Sequence, residues 1–207
     1  MRQKASYDLS VFAEPLTPRD AVPGRIVEGA LRVIARFGLA KLTLDDVARE
    51  AGCSRATLYR YFPGKGALLR AVLDSETGRL RQGLGAALAE VVSLSEALSA
   101  AAAYGAREFA GHEALQFLLA HEPGAVLPHL CFGAGDRLLG TLAETVVPHL
   151  CRFLPPLEAR RVAEWLGRIV LSYALTPPLG PRSRDAEAAV SAVVRDYVVP
   201  GVQPSGE

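Results

Sequence analysis

The residues best suited to bind another molecule lie close together between positions 54 and 65. Arg55, Arg60 and Lys65 are basic, and Tyr59 and Tyr61 are interleaved with them. Basic side chains interleaved with aromatic ones favour contact with a polyanion such as a nucleic acid. A protein partner for the same surface is the alternative. It predicts binding that depends less on salt, because only phosphate contacts release condensed counterions.

Four histidines and three cysteines are the other candidates for catalysis or metal binding. His112 and His121 are each followed by Glu, but neither has a second His at the spacing of a zinc-protease helix. His129 and Cys131 lie two residues apart, and a metal site there would need further ligands that the sequence does not identify. Glycine motifs for phosphate binding or for a catalytic serine are absent. We therefore expect no enzyme activity, no metal and no cofactor.

The charges are unevenly distributed, although the net charge of the 207 residues is only +1. Residues 1–82 contain 14 Lys and Arg against 9 Asp and Glu, and the remainder contains 9 against 13. This asymmetry assigns any polyanion contact to the N-terminal part. The three cysteines have no Cys-x-x-Cys spacing, which is typical of a reduced compartment. Without a signal-peptide pattern or a long apolar run, we expect a cytoplasmic, nucleoid-associated protein with no membrane contact.

Hydrophobic spacing and capping residues predict an all-α chain of about nine helices. Residues 1–22 are polar, with two prolines, and are expected to form a flexible arm. From Ile26 to Phe37, apolar residues recur at three- and four-residue steps and predict a first helix with Phe37 in the core. Pro and Gly separate the later helices, and the tail after Pro200 is expected to be loose.

Residues 42–61 have the pattern of a helix-turn-helix, in which two short helices cross steeply. Ala48 is small where the second helix must approach, and Gly52 tolerates the positive φ that the turn requires. The inward positions are apolar: Leu44, Val47 and Leu58. The outward positions of the second helix are polar, basic or aromatic: Arg55, Thr57, Tyr59, Arg60 and Tyr61.

These residues resemble the TetR family of one-component regulators. The family's recognition helix ends in a Leu-Tyr-x-Tyr-Phe run, followed by a break and a Lys, and here the run extends from Leu58 through Pro63-Gly64 to Lys65. The upstream segment Thr43-Leu44-Asp45-Asp46-Val47-Ala48 matches as well, and the resemblance covers residues 23–72. Gly66 departs from the family, which often has a helix former there, and should loosen the start of that helix.

The resemblance implies an N-terminal three-helix DNA-binding domain over residues 23–70, with its helix-turn-helix at 42–61. A larger helical domain for ligand binding and dimerisation would follow over residues 71–200, with a tail at 201–207. The recognition helix would enter the major groove, where Arg55 is the first choice for a bidentate guanine contact. Lys65 would provide an anion site at a helix N-terminus. The implied DNA-binding residues are Thr43, Ser54, Arg55, Ala56, Thr57, Tyr59, Arg60, Tyr61 and Lys65.

The resemblance also implies an effector cavity among the middle helices. The apolar composition there favours a small, largely apolar effector, although the same residues could simply fill a core. The pocket residues implied are Tyr104, Arg107, Phe109, Phe117, Leu118, His121, His129 and Phe132.

A homodimer through the last two helices is the third implication, because one module buries too little surface for tight specific binding to DNA. The implied interface consists of two apolar stripes: Val162, Leu166, Ile169, Val170 and Tyr173, and Val190, Val193, Val194 and Tyr197. The same stripes could equally be core within one chain. Repression of a palindromic operator is the more common mode in the family, and the sequence identifies neither the operator nor the effector.

Overall fold

The computed structural model describes residues 21–131, 135–175 and 186–202, which form helices and turns without a strand. The helices are α1 Val22–Phe37, α2 Leu44–Glu50, α3 Arg55–Tyr61, α4 Lys65–Ala87, α5 Leu94–Gly111, α6 Glu113–His121, α7 Pro123–Cys131, α8 Gly135–Leu150, α9 Pro156–Leu175 and α10 Ala186–Val193. A π-helical turn, Val194–Val198, and α11, Val199–Val202, continue α10 without a break. The described part of the chain thus holds ten continuous helices, and the predicted all-α class is confirmed.

The first core forms around α1, whose apolar residues recur at helical spacing and lie buried on one face, from Ile26 to Ile34. Val47 of α2 and Leu58 of α3 are fully buried against this face. Burying one such side chain stabilises a fold by about 1.5–3 kcal/mol, so this core holds the two short helices in place. Gly52 turns the chain between them with a φ of 63°, as the sequence predicts.

The helix α4 is shared between two cores. Its first turns bury Leu68 and Val72 in the core around α1, whereas Leu84 and Leu88 lie in a second core with α5, α8, α9 and the last helix. At 1.5 Å per residue, its 23 residues span about 35 Å. Because α4 runs from one core to the other, it can transmit a displacement between them. The predicted domain boundary at residue 70 falls inside this helix and stays a prediction.

Phe37 corrects one expectation, because its side chain is 53% exposed rather than part of the core. It lies on the same face as Val33, but it is the last residue of α1 and extends beyond the helices that cover the earlier turns. Most of the predicted arm and tail, residues 1–20 and 203–207, lies outside the described residues. No helix in the described ranges is long and apolar enough to cross a membrane.

Candidate nucleic-acid interface and internal cavity

The start of α3 is fixed by two hydroxyl groups. Ser54 is its N-cap, and the Ser54 Oγ accepts a hydrogen bond from the backbone N–H of Thr57 at 3.0 Å. The Ser54 Oγ and the Thr57 Oγ1 lie 2.8 Å apart and form a second hydrogen bond. An N-cap of this kind is worth about 1 kcal/mol. Ser54 and Thr57 therefore stabilise the N-terminal end of α3, which is the end that we expect to enter the major groove.

The start of α2 is capped in a similar way by Thr43. Its Oγ1 accepts from the backbone N–H of Asp46 at 3.2 Å and donates to the Asp46 carboxylate at 2.5 Å. Arg49 pairs with the same carboxylate from the next turn at 3.0 Å. The acidic first turn also complements the positive end of the helix dipole.

An ion pair joins the outer faces of the two short helices. Arg55 Nε of α3 lies 2.7 Å from Asp45 Oδ1 of α2, and both side chains are largely exposed. An exposed pair contributes about 0–1 kcal/mol, so a stronger partner can displace Asp45 from the guanidinium. A phosphate or a guanine edge is such a partner.

The remaining outward face of α3 is aromatic and basic. Tyr59 is 47% exposed, and its hydroxyl makes no hydrogen bond to the described residues. Tyr61 is also exposed, and the Arg60 guanidinium lies over its ring, 4.9 Å from the centroid. Ala56 is exposed as well, so it leaves the surface low between these side chains. This face can donate hydrogen bonds, stack and bind an anion.

Lys65 differs from its predicted use. Its Nζ donates to the carbonyl oxygens of Leu39, at 2.5 Å, and Leu42, at 3.2 Å, and is partly buried there. The ammonium therefore binds the connection between α1 and α2 through two carbonyl groups, instead of pointing outward toward a phosphate. The N-terminus of α4 itself has no side-chain cap, so its first backbone N–H groups stay available to an anion.

An apolar cavity of about 60 Å³ lies between α4, α5, α8 and α9. Tyr104 and Phe109, both predicted as pocket residues, line it, and Tyr104 is the one polar side chain among the described residues of its wall. Burial and the nearby Glu108 carboxylate raise the pKa of Tyr104, so its hydroxyl stays protonated at neutral pH. Sequence reasoning missed most of the wall: Leu80, Leu84, Ala101, Gly105, Leu142, Ala143, Val146, Ala163, Leu166, Gly167, Val170 and Leu171.

The other predicted pocket residues lie elsewhere. Phe117 and His121 stack on each other on α6, with ring centroids 4.3 Å apart, and Leu118 is buried in the core around α1. Phe117 and Leu118 lie on the side of α6 that faces α1 and its end at Gly38, away from the cavity. Arg107 is exposed and pairs with Glu187 at 3.5 Å. The side chains of His129 and Phe132 lie outside the described residues.

A charged groove of about 500 Å³, separate from the apolar cavity, lies between α1, α4, α5 and α6. There Glu76 accepts from Arg79 Nε at 3.0 Å and contacts His112 Nε2 at 3.1 Å, and Arg79 also bonds Glu108. Burial raises the pKa of Glu76, but the hydrogen bonds and charges of His112 and Arg79 outweigh burial and leave it below its usual range. The network ties α4 to α5 and to the start of α6, where His112 Nδ1 accepts from the N–H of Leu115.

The two stripes predicted for a dimer divide into buried and exposed parts. Leu166, Val170, Val190 and Val194 are buried within one chain and are unavailable to a partner, because α9, α10 and the π-helical turn pack them into the second core. Val162, Ile169, Tyr173 and Val193 are half-buried. Tyr197 is the exposed residue of the stripes, at 74%, and Trp165 on α9, which belongs to neither stripe, is 46% exposed.

Two comparisons of the sequence identify the family. Residues 26–72 match the sequence model described as "Bacterial regulatory proteins, tetR family". An uncharacterized HTH-type transcriptional regulator of Mycobacterium tuberculosis is 30% identical over 189 residues, which cover 87% of this chain and 85% of that protein. The chain belongs to the TetR family. It is therefore a DNA-binding transcriptional regulator and not an enzyme.

Other relatives of this TetR-family regulator agree over nearly the whole chain. The regulator BetI of Brucella canis is 28% identical over 200 residues, 94% of either chain. Among solved structures, the repressor AlkX from a Dietzia strain, implicated in the biodegradation of n-alkanes, has a TM-score of 0.63. Its sequence is 20% identical, and the match covers 90% of this chain and 100% of that one, a likeness in fold.

Proposed function

We propose that this regulator is a repressor that a small, largely apolar effector releases from a palindromic operator. The observation that carries the proposal is the course of α4. The helix begins beside the exposed face of α3, at Lys65, and it contributes Leu80 and Leu84 to the wall of the apolar cavity. A single rigid element thus joins a surface suited to DNA with a cavity suited to an apolar ligand.

In this proposal, α3 enters the major groove with Arg55 and Ala56 toward the bases. Arg55 exchanges its exposed partner Asp45 for the N7 and O6 of a guanine. Tyr59 and Arg60 reach phosphates or base edges, and so does Tyr61, while the capped starts of α2 and α3 bring the Thr43, Ser54 and Thr57 hydroxyls near the backbone. At position 65, the backbone N–H replaces the side chain as the anion donor.

The apolar effector is supported by the wall of the cavity, in which Tyr104 is the one polar side chain among the described residues. A cavity of about 60 Å³ is too small for a drug-sized ligand, whose pockets usually measure roughly 300–1,000 Å³. Binding must therefore move the helices that form the wall, α4 among them. A ligand that binds only the expanded state shifts the population of the protein toward that state.

Dimerisation is proposed through the exposed side of α9 and the last helix. Trp165 and Tyr197 provide large aromatic surfaces on two successive helices, and Ile169 and Val162 extend the first of them. Aromatic residues are enriched at interfaces, where they bury much area at a small entropic cost. Operator half-sites one helical turn apart are about 34–36 Å apart, so a change in the angle of α4 misplaces one recognition helix when the other is seated. The division into domains at residue 70 belongs to the same proposal.

The proposal is tested by isolating an operator from random duplexes and then challenging the complex with compounds. We expect apolar compounds of graded size to release the labelled operator in fluorescence anisotropy, and operator binding to weaken their affinity by the same factor, since coupling is reciprocal. Trp165→Ala, which shortens an exposed side chain, is expected to weaken the dimer in sedimentation without unfolding the chain. Release by charged metabolites alone would contradict the apolar effector.

A further inference from the structure

The connection between α1 and α2 is held by two charged side chains from distant parts of the chain. The Glu122 carboxylate accepts hydrogen bonds from the backbone N–H of Leu39, at 3.1 Å, and of Ala40, at 3.2 and 3.3 Å. From the other side, the Lys65 ammonium donates to the carbonyl oxygens of Leu39 and Leu42. Hydrogen bonds with a charged partner are about twice as strong as neutral ones, so both the Glu122 carboxylate and the Lys65 ammonium hold this connection strongly.

The backbone at Gly38 is built for the approach of Glu122. Gly38 has a φ of 80°, which side chains other than glycine rarely adopt, and it follows the last residue of α1. A Cβ at this position would overlap the Glu122 carboxylate and lie 3.1 Å from the ring of Phe117. Glycine thus allows the junction between α6 and α7 to contact the backbone of the DNA-binding part directly.

The same junction is connected to the wall of the apolar cavity. Phe109 and Leu171 line the cavity and form a small buried cluster of their own. Leu115 and Leu119 of α6 pack against this cluster, and so does Val126 of α7. Glu122 lies between α6 and α7, so a displacement of the wall reaches its carboxylate through side chains in contact.

We infer that Glu122 is a positioning residue that transmits the state of the cavity to the DNA-binding helices. The inference rests on the proposed function, since it specifies how a ligand in the cavity reaches α2 and α3. When the cavity wall expands, the junction between α6 and α7 moves, and the Glu122 carboxylate moves with it. The backbone of Leu39 and Ala40 is then displaced relative to the Lys65 ammonium. Thr43, the N-cap of α2, follows this connection directly, so the displacement reorients α2 and with it α3. This link acts in addition to α4.

The test uses Glu122→Gln, which keeps the shape of the side chain but replaces one acceptor oxygen by an amide donor that faces the two N–H groups. Glu113→Gln is the matched control, because Glu113 lies on α6, is exposed, and has no hydrogen bond or ion pair within the described residues. Ala143→Leu narrows the cavity and serves as a fixed substitute for a ligand. Operator affinity is measured for the wild type, for each variant and for the Glu122→Gln/Ala143→Leu pair. Amide exchange of Leu39 and Ala40 is followed by NMR.

We expect Glu122→Gln to speed the exchange of both amides at least roughly tenfold, and the control to leave it unchanged. Ala143→Leu is expected to weaken operator affinity roughly 5- to 150-fold in the wild type, and by a factor at least about twofold smaller beside Glu122→Gln, where α4 alone transmits the change. An equal weakening in both backgrounds would overturn the inference and leave Glu122 a purely structural residue, whatever its effect on melting. A wild type that binds no duplex would instead overturn the proposed function, while the exchange experiment still reports on the Glu122 contact.

Discussion

Replacing Arg55 by Ala should separate recognition of DNA from stability of the fold. Arg55 is exposed, and its one ion pair, with Asp45, also lies at the surface, so its loss should lower the free energy of unfolding by about 0–1 kcal/mol. A bidentate contact to guanine is worth about 1–3 kcal/mol. With one contact in each half-site, the free energy of operator binding should weaken by at least about 2 kcal/mol, which lowers operator affinity at least about 30-fold.

The assay is fluorescence anisotropy with an operator duplex and with a scrambled duplex of equal length, beside thermal melting. Arg49→Ala is the matched control, because Arg49 is also an exposed arginine in an ion pair, with Asp46, but lies on α2. We expect Arg55→Ala to lose operator affinity while its nonspecific binding changes little, and Arg49→Ala to stay close to the wild type on both duplexes. Equal losses for the two variants, or a large fall in melting temperature for Arg55→Ala, would refute the reasoning.

Three further predictions concern stability and follow from local geometry. Gly105→Ala should lower the free energy of unfolding by about 1–3 kcal/mol in denaturant titrations, because the new Cβ would lie 2.9 Å from Val170 Cγ1. Gly140→Ala on α8, where a Cβ meets open space, should raise the free energy of unfolding by about 0.5–1 kcal/mol. Ser54→Ala should cost about 1 kcal/mol in the same titrations by removing the cap of α3, and an unchanged midpoint would contradict this. Because the pKa of Glu76 is lowered on folding, its contribution to stability is complete above its ordinary value of 4.5 and is lost as the pH falls through the lowered value. Urea titrations between about pH 5 and 3 should therefore show a smaller loss of stability for Glu76→Gln than for the wild type, and parallel losses would contradict it.

The local geometry of the surface that we propose for DNA binding could be predicted from the sequence, because it depends on residues that are close together in the chain. The Thr43 and Ser54 hydroxyl groups each accept a hydrogen bond from the backbone N–H three residues further on, and Gly52 supplies the positive φ of the turn between α2 and α3. The apolar face of α1 follows from helical spacing alone, as far as Ile34. Spacing could not reveal that the face ends before Phe37, since the extent of the covering helices is set by the tertiary fold.

The contacts over long sequence distances could not be predicted. Helical periodicity predicts the apolar stripe on α9, but it cannot tell whether that stripe faces the chain's own core or a partner. In the structure Leu166 is buried in the core and Trp165 is exposed. The sequence around Lys65 predicts an anion site, and nothing near it in the chain indicates the hydrogen bonds of its ammonium to the carbonyl groups of Leu39 and Leu42. Glu122 contacts residues more than 80 positions away, and no local pattern encodes that pairing.

The glycines inside helices were the one overlooked signal for the cavity. Gly105 and Gly167 lie in helix interiors, where glycine costs about 1 kcal/mol relative to alanine, and both line the cavity wall. A residue that is unfavourable for its helix indicates a close approach of another element. Here a Cβ on Gly167 would lie 3.1 Å from Leu139, which explains the choice of residue.

Selection of bound sequences from a random duplex pool tests the central claim most directly, with wild type and Arg55→Ala compared at the same salt concentration. We expect the wild type to enrich a palindrome whose half-sites lie about one helical turn apart, and Arg55→Ala to lose preference at a guanine in each half-site. If the wild type enriches no sequence at any salt concentration, or if Arg55→Ala enriches the same palindrome as strongly, α3 does not read DNA in the way proposed here.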